Sequence, residues 1–378
     1  MKIVHVITDL NTGGAEHALY NILNSDPGIG FHHHVICLGA GGKTARSIRE
    51  LDVPVTKLNM QNGMVPFVGL RKLFRLVRSV RPDVIQGWMY HGNLIAFLAA
   101  KVAPGDPALV WNVRHSLYDF RFEKLATQMI IFLNRLLSAQ PDVLLYNSQK
   151  SKSQHENKGF SSMNGRVIPN GIDLEKFKFS DKARWQMRKR LGIPGYARVI
   201  GHFARFHPIK DHPEFLRIAS LLVEKYPEVH VVMCGREVSP VNQELNRLIP
   251  IGLQHRFHLL DERDDIPELL SCIDVFCLSS ASEAFPNILG EAMSVGVPCV
   301  TTNVGDCAMI VGDTGISVVQ GDSAALFKAL ESFLIMPDTE LDRLSARARS
   351  RIESNYGVEK MADEYAELYC KIAPSAAG

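Results

Sequence analysis

Two pairs of side chains in the second half of the sequence have the types and spacing to hold a charged ligand. Arg205 and Lys210 lie five positions apart in the run Ala204-Arg205-Phe206-His207-Pro208-Ile209-Lys210-Asp211. An arginine forks two phosphate oxygens while a lysine acts as a point charge, so the pair suits a pyrophosphate. Glu283 and Glu291 border the run Ala284-Phe285-Pro286-Asn287-Ile288-Leu289-Gly290. That stretch reads as the end of a buried strand (Val275 to Leu278), a polar loop, and a short helix opening near Pro286. At such a helix start the free amides of Asn287, Ile288 and Leu289 would face an anion, helped by the positive end of the dipole. Both carboxylates can then border the same crevice. The plainer alternative is a solvated loop with surface charges.

Further candidates lie where strands end. Met1 to Leu10 reads as a strand, and Gly13-Gly14 between it and the next helix lets the backbone come close to a ligand. The strand Leu109 to Val113 delivers Arg114, His115 and Ser116. A histidine just past a strand end points into the crevice, where neutral imidazole can donate to a hydroxyl. His91 opens the preceding helix, with a buried structural histidine as the competing reading. Gly235, after the strand Val229 to Cys234, is another place for close approach by a nucleotide. The loop Gly39 to Thr44 misses both the phosphate-loop and the dinucleotide glycine patterns by one residue. His32-His33-His34 alternates sides of a strand and reads as an exposed strand end.

The 378 residues suit two domains of ordinary size, and 46% apolar with 22% charged residues is globular composition. The formal charge of +2 says little about partners, because any basic surface must be local, and no nucleic-acid partner is expected. No apolar run is long enough to span a bilayer, and the start does not resemble a secretory signal. Seven cysteines without a Cys-x2-Cys pair favour buried free thiols and a cytoplasmic protein. The basic helix Phe67 to Val80, with Arg71, Lys72, Arg75 and Arg78, leaves two readings open. It is either a solvated face or one that meets anionic headgroups or a pyrophosphate-linked acceptor, in peripheral contact with the inner membrane surface. Phe122 to Ser138 is apolar at helical spacing and reads as a core helix rather than one lying on a membrane.

The Glu283-x7-Glu291 pattern, with Gly290-Glu291-Ala292-Met293, Gly296-Val297-Pro298 and Arg205-x4-Lys210, resembles the retaining glycosyltransferases of family 4. The resemblance covers nearly the whole chain, and its specific motifs lie in the second half. It implies the α/β fold called GT-B, two doubly wound, Rossmann-like parallel-sheet domains facing across a cleft. Residues 1–175 would form an acceptor-side domain and 176–357 the nucleotide-sugar domain. The boundary falls between Asp173 and Lys182, past the Asn170-Gly171 turn, and the helix in 358–378 packs back on the first domain. The resemblance implies that Glu291 holds ribose hydroxyls, that Glu283 lies near the transferred sugar, and that Arg205 and Lys210 hold the donor phosphates. It implies that His115 touches the sugar near its reacting carbon. Gly13 and Gly14 would lie under the donor, Gly235 and Arg263 beside the nucleotide, and Glu16, His91 and Arg114 on the acceptor side.

The reaction implied is transfer of a hexosyl unit from a nucleoside diphosphate sugar to a hydroxyl of a glycan or lipid-linked acceptor, with the anomeric configuration kept. No metal and no cofactor is expected, the nucleotide sugar being a substrate. Three other readings stand beside it. One is a retaining glycosidase using Glu283 and Glu291 about 5 Å apart; another is a sugar-nucleotide epimerase of related fold. The third is an inactive partner that only binds nucleotide sugar or glycan.

Overall fold

The structure is a computed structural model that describes the chain except residues 12, 27–29, 61–66, 118–124 and 374–378. It divides into two compact units, residues 1–171 with 358–378, and residues 172–357. The division falls at Gly171/Ile172, just before the expected boundary.

The first unit alternates strands and helices. Its strands are β1 (Lys2–Ile7), β2 (His32–Cys37), β3 (Val55–Lys57), β4 (Val84–Trp88), β5 (Ala108–Val113), β6 (Val143–Tyr146) and β7 (Gly165–Val167). Between them run α1 (Gly14–Asn24), α2 (Lys43–Glu50), α3 (Phe67–Val80), α4 (Met89–Val102), α5 (Leu125–Leu137) and α6 (Gln149–Asn157). All neighbours in the sheet are parallel, in the order β3-β2-β1-β4-β5-β6-β7. A parallel sheet needs both faces covered, and β1 shows how one strand serves two cores. Ile3 and Ile7 join the core with α1 and α2, while Val4 and Val6 join the one with α3, α4 and α5.

The second unit opens with α7 (Asp181–Leu191) and β8 (Val199–Phe203), then α8 (His212–Lys225) and β9 (His230–Cys234). Next come α9 (Gln243–Arg247), β10 (Phe257–Leu259), α10 (Ile266–Cys272) and β11 (Val275–Leu278). The unit ends with α11 (Asn287–Ser294), β12 (Cys299–Thr302), α12 (Cys307–Val311), β13 (Ile316–Val318), α13 (Ser323–Leu334) and α14 (Asp338–Tyr356). Its parallel sheet has the order β10-β9-β8-β11-β12-β13. In both sheets the strand order reverses direction once, between β1 and β4 and between β8 and β11, and ligands of such folds bind outside the carboxyl ends there.

The last helix, α15 (Val358–Ile372), belongs to the first unit. Its tyrosines supply polar partners to the sheet: Asn112 Nδ2 donates to Tyr365 Oη at 2.8 Å, and Tyr369 donates to Gln86. Gly171 lets α15 start close by, because a Cβ there would lie 2.6 Å from Val358 Cα. Two sequence expectations change. His33 is not exposed: its ring stacks on His5 with centroids 5.2 Å apart and its side chain is 5% exposed. Among the described residues of the apolar run from Phe122 to Ser138, which exclude 122–124 and so Lys124, α5 buries Ile131 and Asn134 and turns most of its apolar side chains outward. The cysteines are free thiols as expected, six of them buried and Cys370 exposed. Among the described residues no helix is long and apolar enough to cross a membrane.

The second unit is fastened by one carboxylate. Asp274, before β11, accepts from Arg184 at 2.5 Å, Arg188 at 2.8 Å and the Val199 amide at 2.7 Å. Arg188 is almost fully buried, so removing its counter-charge leaves a desolvated cation unpaired. Asp274→Ala should therefore lower stability by about 3 kcal/mol in urea unfolding of the full chain. A loss under about 1 kcal/mol would mean that water takes over the role of the carboxylate.

Candidate functional site

The loops after β8, β11 and β12 lie side by side at the carboxyl ends of the second sheet and are laced together. The β8 loop ends in a short 3-10 turn, Pro208–Lys210, and in Asp211, whose φ of 50° is left-handed and whose carboxylate caps α8. Ser279 Oγ donates to the carbonyls of Lys210 and Asp211, and the Ala281 amide donates to Ile209 O at 2.7 Å. Thr302 Oγ1 donates to Ser280 O at 2.6 Å, joining β12 to the same loop. The side chains follow the backbone. Lys210 forms an ion pair with Glu283, whose Oε1 also accepts from Ser280 Oγ at 2.7 Å.

Arg205 is exposed and has no ion pair or side-chain hydrogen bond among the described residues. Gly235, after β9, has a φ of 151°, and a Cβ there would meet the Ala204 carbonyl and lie 2.8 Å from the Arg205 amide. Its missing side chain thus lets the chain pass close behind Arg205. Two histidines that the sequence reading missed support this loop from below. His212 Nε2 donates to Ala204 O at 3.3 Å, and its ring meets that of His202 edge-on at 4.8 Å. Burial pushes the His212 pKa down to about 4, and the charge of Lys210 acts the same way, so it is a neutral prop. The available signal was a polar residue inside an apolar strand, Gly201-His202-Phe203.

The β11 loop leads into α11, which no side chain caps. The Leu289 amide donates to Pro286 O at 3.2 Å and Leu289 is fully buried. It therefore drops out of the three amides expected to face an anion. Gly290 is required by packing: a Cβ would come 2.7 Å from Ile172 Cγ1. Glu291, one turn in, has no side-chain hydrogen bond among the described residues, and burial pushes its pKa up to about 7 against a weak opposing pull from Lys176. A desolvated acceptor without a donor is poised for one from outside. Arg263, expected beside the nucleotide, forks Asp265 with its guanidinium.

In the first unit, Gly13, Gly14 and Glu16 follow β1, and His91 follows β4, so both flank the point where the strand order reverses. Gly13 gives its space to the Glu16 carboxylate, whereas a Cβ on Gly14 would meet no protein atom within 4 Å. Burial raises the Glu16 pKa, with Asp9 adding to it against a bond from its own amide; burial lowers that of His91. Arg114, expected on the acceptor side, bonds Tyr365 Oη at 3.2 Å and Asn170, and lies over the Trp88 ring. It joins β5 to α15. His115 is gripped through its backbone by α6, as Ser151 Oγ donates to its carbonyl at 2.6 Å. Gln154 Oε1 accepts from Ser116 Oγ at 2.8 Å and from the Leu117 amide at 3.1 Å. Behind them His155 donates from Nδ1 to Ser151 O at 2.8 Å, which fixes Nε2 as the acceptor of the Tyr90 hydroxyl at 2.7 Å. A separate hollow lined by Lys101, Asp106 and Asp142 opens at the amino ends of β5 and β6, the wrong pole for this chemistry.

Each unit is a doubly wound domain with its functional loops at the strand carboxyl ends, the arrangement of a GT-B glycosyltransferase. The profile described as "Glycosyltransferase Family 4" matches residues 12–176, and that described as "Glycosyl transferases group 1" matches 197–335. A D-inositol 3-phosphate glycosyltransferase of Corynebacterium urealyticum is 30% identical over 358 residues, covering 89% of this chain and 82% of the relative. The UDP-Gal:alpha-D-GlcNAc-diphosphoundecaprenol alpha-1,3-galactosyltransferase of Escherichia coli is 25% identical over 98% of this chain and 96% of its own. Among solved structures, Anabaena HepE in complex with UDP superposes with a TM-score of 0.84 at 23% identity, covering 98% of this chain and all of that one. The lipopolysaccharide glycosyltransferase WaaG gives 0.74 at 15%, with all of both chains covered. The chain belongs to the family 4 glycosyltransferases.

The Glu291 carboxyl gives a pH test. In the folded protein it titrates near 7, against 4.5 for the ordinary group, so the fold binds the extra proton between those values. Stability should fall as pH rises from 4.5 to about 7, and the whole loss should be present above that. Glu291→Gln should match the wild type in acid and melt at a higher temperature at pH 8. A pH-independent offset between the two melting curves would show the carboxyl to be solvated.

Proposed function

We propose that the protein transfers a hexosyl unit from a nucleoside diphosphate sugar to a hydroxyl of a glycan or lipid-linked acceptor, with retention and without a divalent metal. The observation that carries this is an exposed Arg205, without an ion pair among the described residues, in the same β8 loop as Lys210, whose partner Glu283 lies in the loop that opens the uncapped α11, where the strand order reverses. Arg205 forks the diphosphate, Lys210 adds a point charge, and the Asn287 and Ile288 amides complete the cradle. Incoming phosphate competes with Glu283 for Lys210. Glu291 accepts from the ribose hydroxyls, which also relieves its desolvation, so donor binding tightens as pH rises through about 7. His115 is the group assigned to the sugar, with Gly13, Gly14 and Gly235 allowing close approach and Glu16 and His91 on the acceptor side.

In the transfer, the bond between the anomeric carbon and the phosphate oxygen breaks with its electron pair on the phosphate. The acceptor oxygen bonds to the same face of that carbon, and its proton passes to the departing phosphate oxygen. The positive charge at Arg205 and Lys210 stabilises the negative charge that develops on the diphosphate, which is the part a divalent cation would otherwise play. No covalent nucleophile is needed, and Glu283, held by Lys210 and Ser280, is poorly placed to be one. The Escherichia coli relative, by its name, uses a diphosphoundecaprenol acceptor and makes an alpha-1,3 linkage, which favours a lipid-linked acceptor and a retained configuration. Such an acceptor would bring the reaction to a membrane surface, and the cytoplasmic face is the one this reading takes.

Lys210→Ala and Glu291→Ala should each lower nucleoside diphosphate release by about a hundredfold or more while the fold melts normally. Near-normal turnover removes that residue from the site. With the donor that turns over, proton NMR should show the product anomer matching the donor's, and excess chelator should leave the rate unchanged. An inverted product, or inactivation reversed by added metal, would refute the proposed mechanism.

A further inference from the structure

The outer surface of α5 has no use in the reading above. Leu125, Met129, Phe132, Leu133 and Leu136 are exposed by 82, 66, 47, 38 and 60%. Their spacing puts them along one side of the helix, a continuous apolar ridge where a surface helix normally presents polar groups. The layer to which α5 belongs is also unusual in charge. The helices α3, α4 and α5 cover the same sheet face and share one core. Together they carry Arg71, Lys72, Arg75, Arg78, Lys101 and Arg135 and no aspartate or glutamate. The whole chain is nearly balanced, with 42 basic and 40 acidic residues, so this one layer concentrates a single sign. Arg71, Arg75 and Arg78 are exposed and have no anionic partner among the described residues.

We propose that the outer surface of the α3–α5 layer docks on an anionic lipid bilayer, with the α5 ridge at the boundary between headgroups and acyl chains and the arginines of α3 on lipid phosphates. A ridge of this kind alone would fit a second copy or another protein, but pairing two copies would set six like charges against six. A purely apolar partner would leave the unpaired arginines unexplained. An anionic bilayer takes both features at once, because apolar insertion and headgroup attraction add on one surface. The proposal deepens the reading of a lipid-linked acceptor, yet its test involves no sugar transfer.

The test uses the full chain with vesicles of phosphatidylcholine, alone or mixed with phosphatidylglycerol, and sedimentation of vesicle-bound protein. Protein should sediment with the mixed vesicles, about tenfold less with neutral ones, and return to solution in high salt. The triple variants Met129→Ser/Phe132→Ser/Leu136→Ser and Arg71→Gln/Arg75→Gln/Arg78→Gln should each lose sedimentation, with melting temperature and nucleoside diphosphate release unchanged. Two outcomes overturn the proposal at the vesicle stage: wild-type protein that stays in solution with anionic vesicles, or an α5 variant that sediments as before. A light-scattering mass of two chains that drops to one in the α5 variant would give the ridge to a second copy and overturn it equally.

Discussion

The ion pair between Lys210 and Glu283 ties the functional half of the second unit together. It joins a residue from the loop after β8 to one from the loop after β11, the two strands at which the sheet reverses its order. The Ser279 hydroxyl and the Ala281 amide lace the same loops, and Thr302 ties the second of them to β12, so the cation and the carboxylate are held by more than each other. A lysine neutralised in this way cannot drift, but it also presents less net charge than Arg205, five residues earlier in the same loop. The two cations are therefore unlike in readiness: Arg205 is free to meet a ligand, and Lys210 must exchange one anionic partner for another.

Much of the fold was legible in the sequence, for a plain reason. Continuous apolar runs such as Val231 to Cys234 and Val275 to Leu278 have to be strands buried on both faces, and alternation with helices then dictates parallel sheets. The loops at the carboxyl ends were legible too, because Arg205, Lys210, Glu283 and Glu291 stand where strand patterns stop. What could not be read was pairing. Arg114 and Arg263 have the same residue type as Arg205 and similar positions after strands. Their guanidinium groups differ only in what comes to meet them, Tyr365 from a distant helix in one case and Asp265 two residues on in the other. The second partner was within local reach and the first was not.

The propping residues were hidden for a related cause. His212, Ser151 and Gln154 act on a neighbouring loop through one hydrogen bond each or a pair, with His202 packed against His212, and no spacing rule announces such a bond. Their signal is only a polar residue where an apolar one would pack as well. Leu289 shows the converse, a site position whose backbone, seemingly free by its place in the helix, is engaged by a proline carbonyl one turn back. The outward ridge of α5 is a third instance, since apolar residues at helical spacing cannot tell by themselves which side of the helix meets the core.

The first unit is closed by α15, a segment that the chain reaches only after every residue of the second unit has been made. Until Tyr365 and Tyr369 arrive, Asn112, Gln86 and Arg114 lack the hydroxyl partners that satisfy them in the finished sheet. On the ribosome, then, the unit begun first is completed last. A nascent chain carries a half-dressed sheet through most of its synthesis, and clipping the final helix should injure the domain farthest from it in sequence.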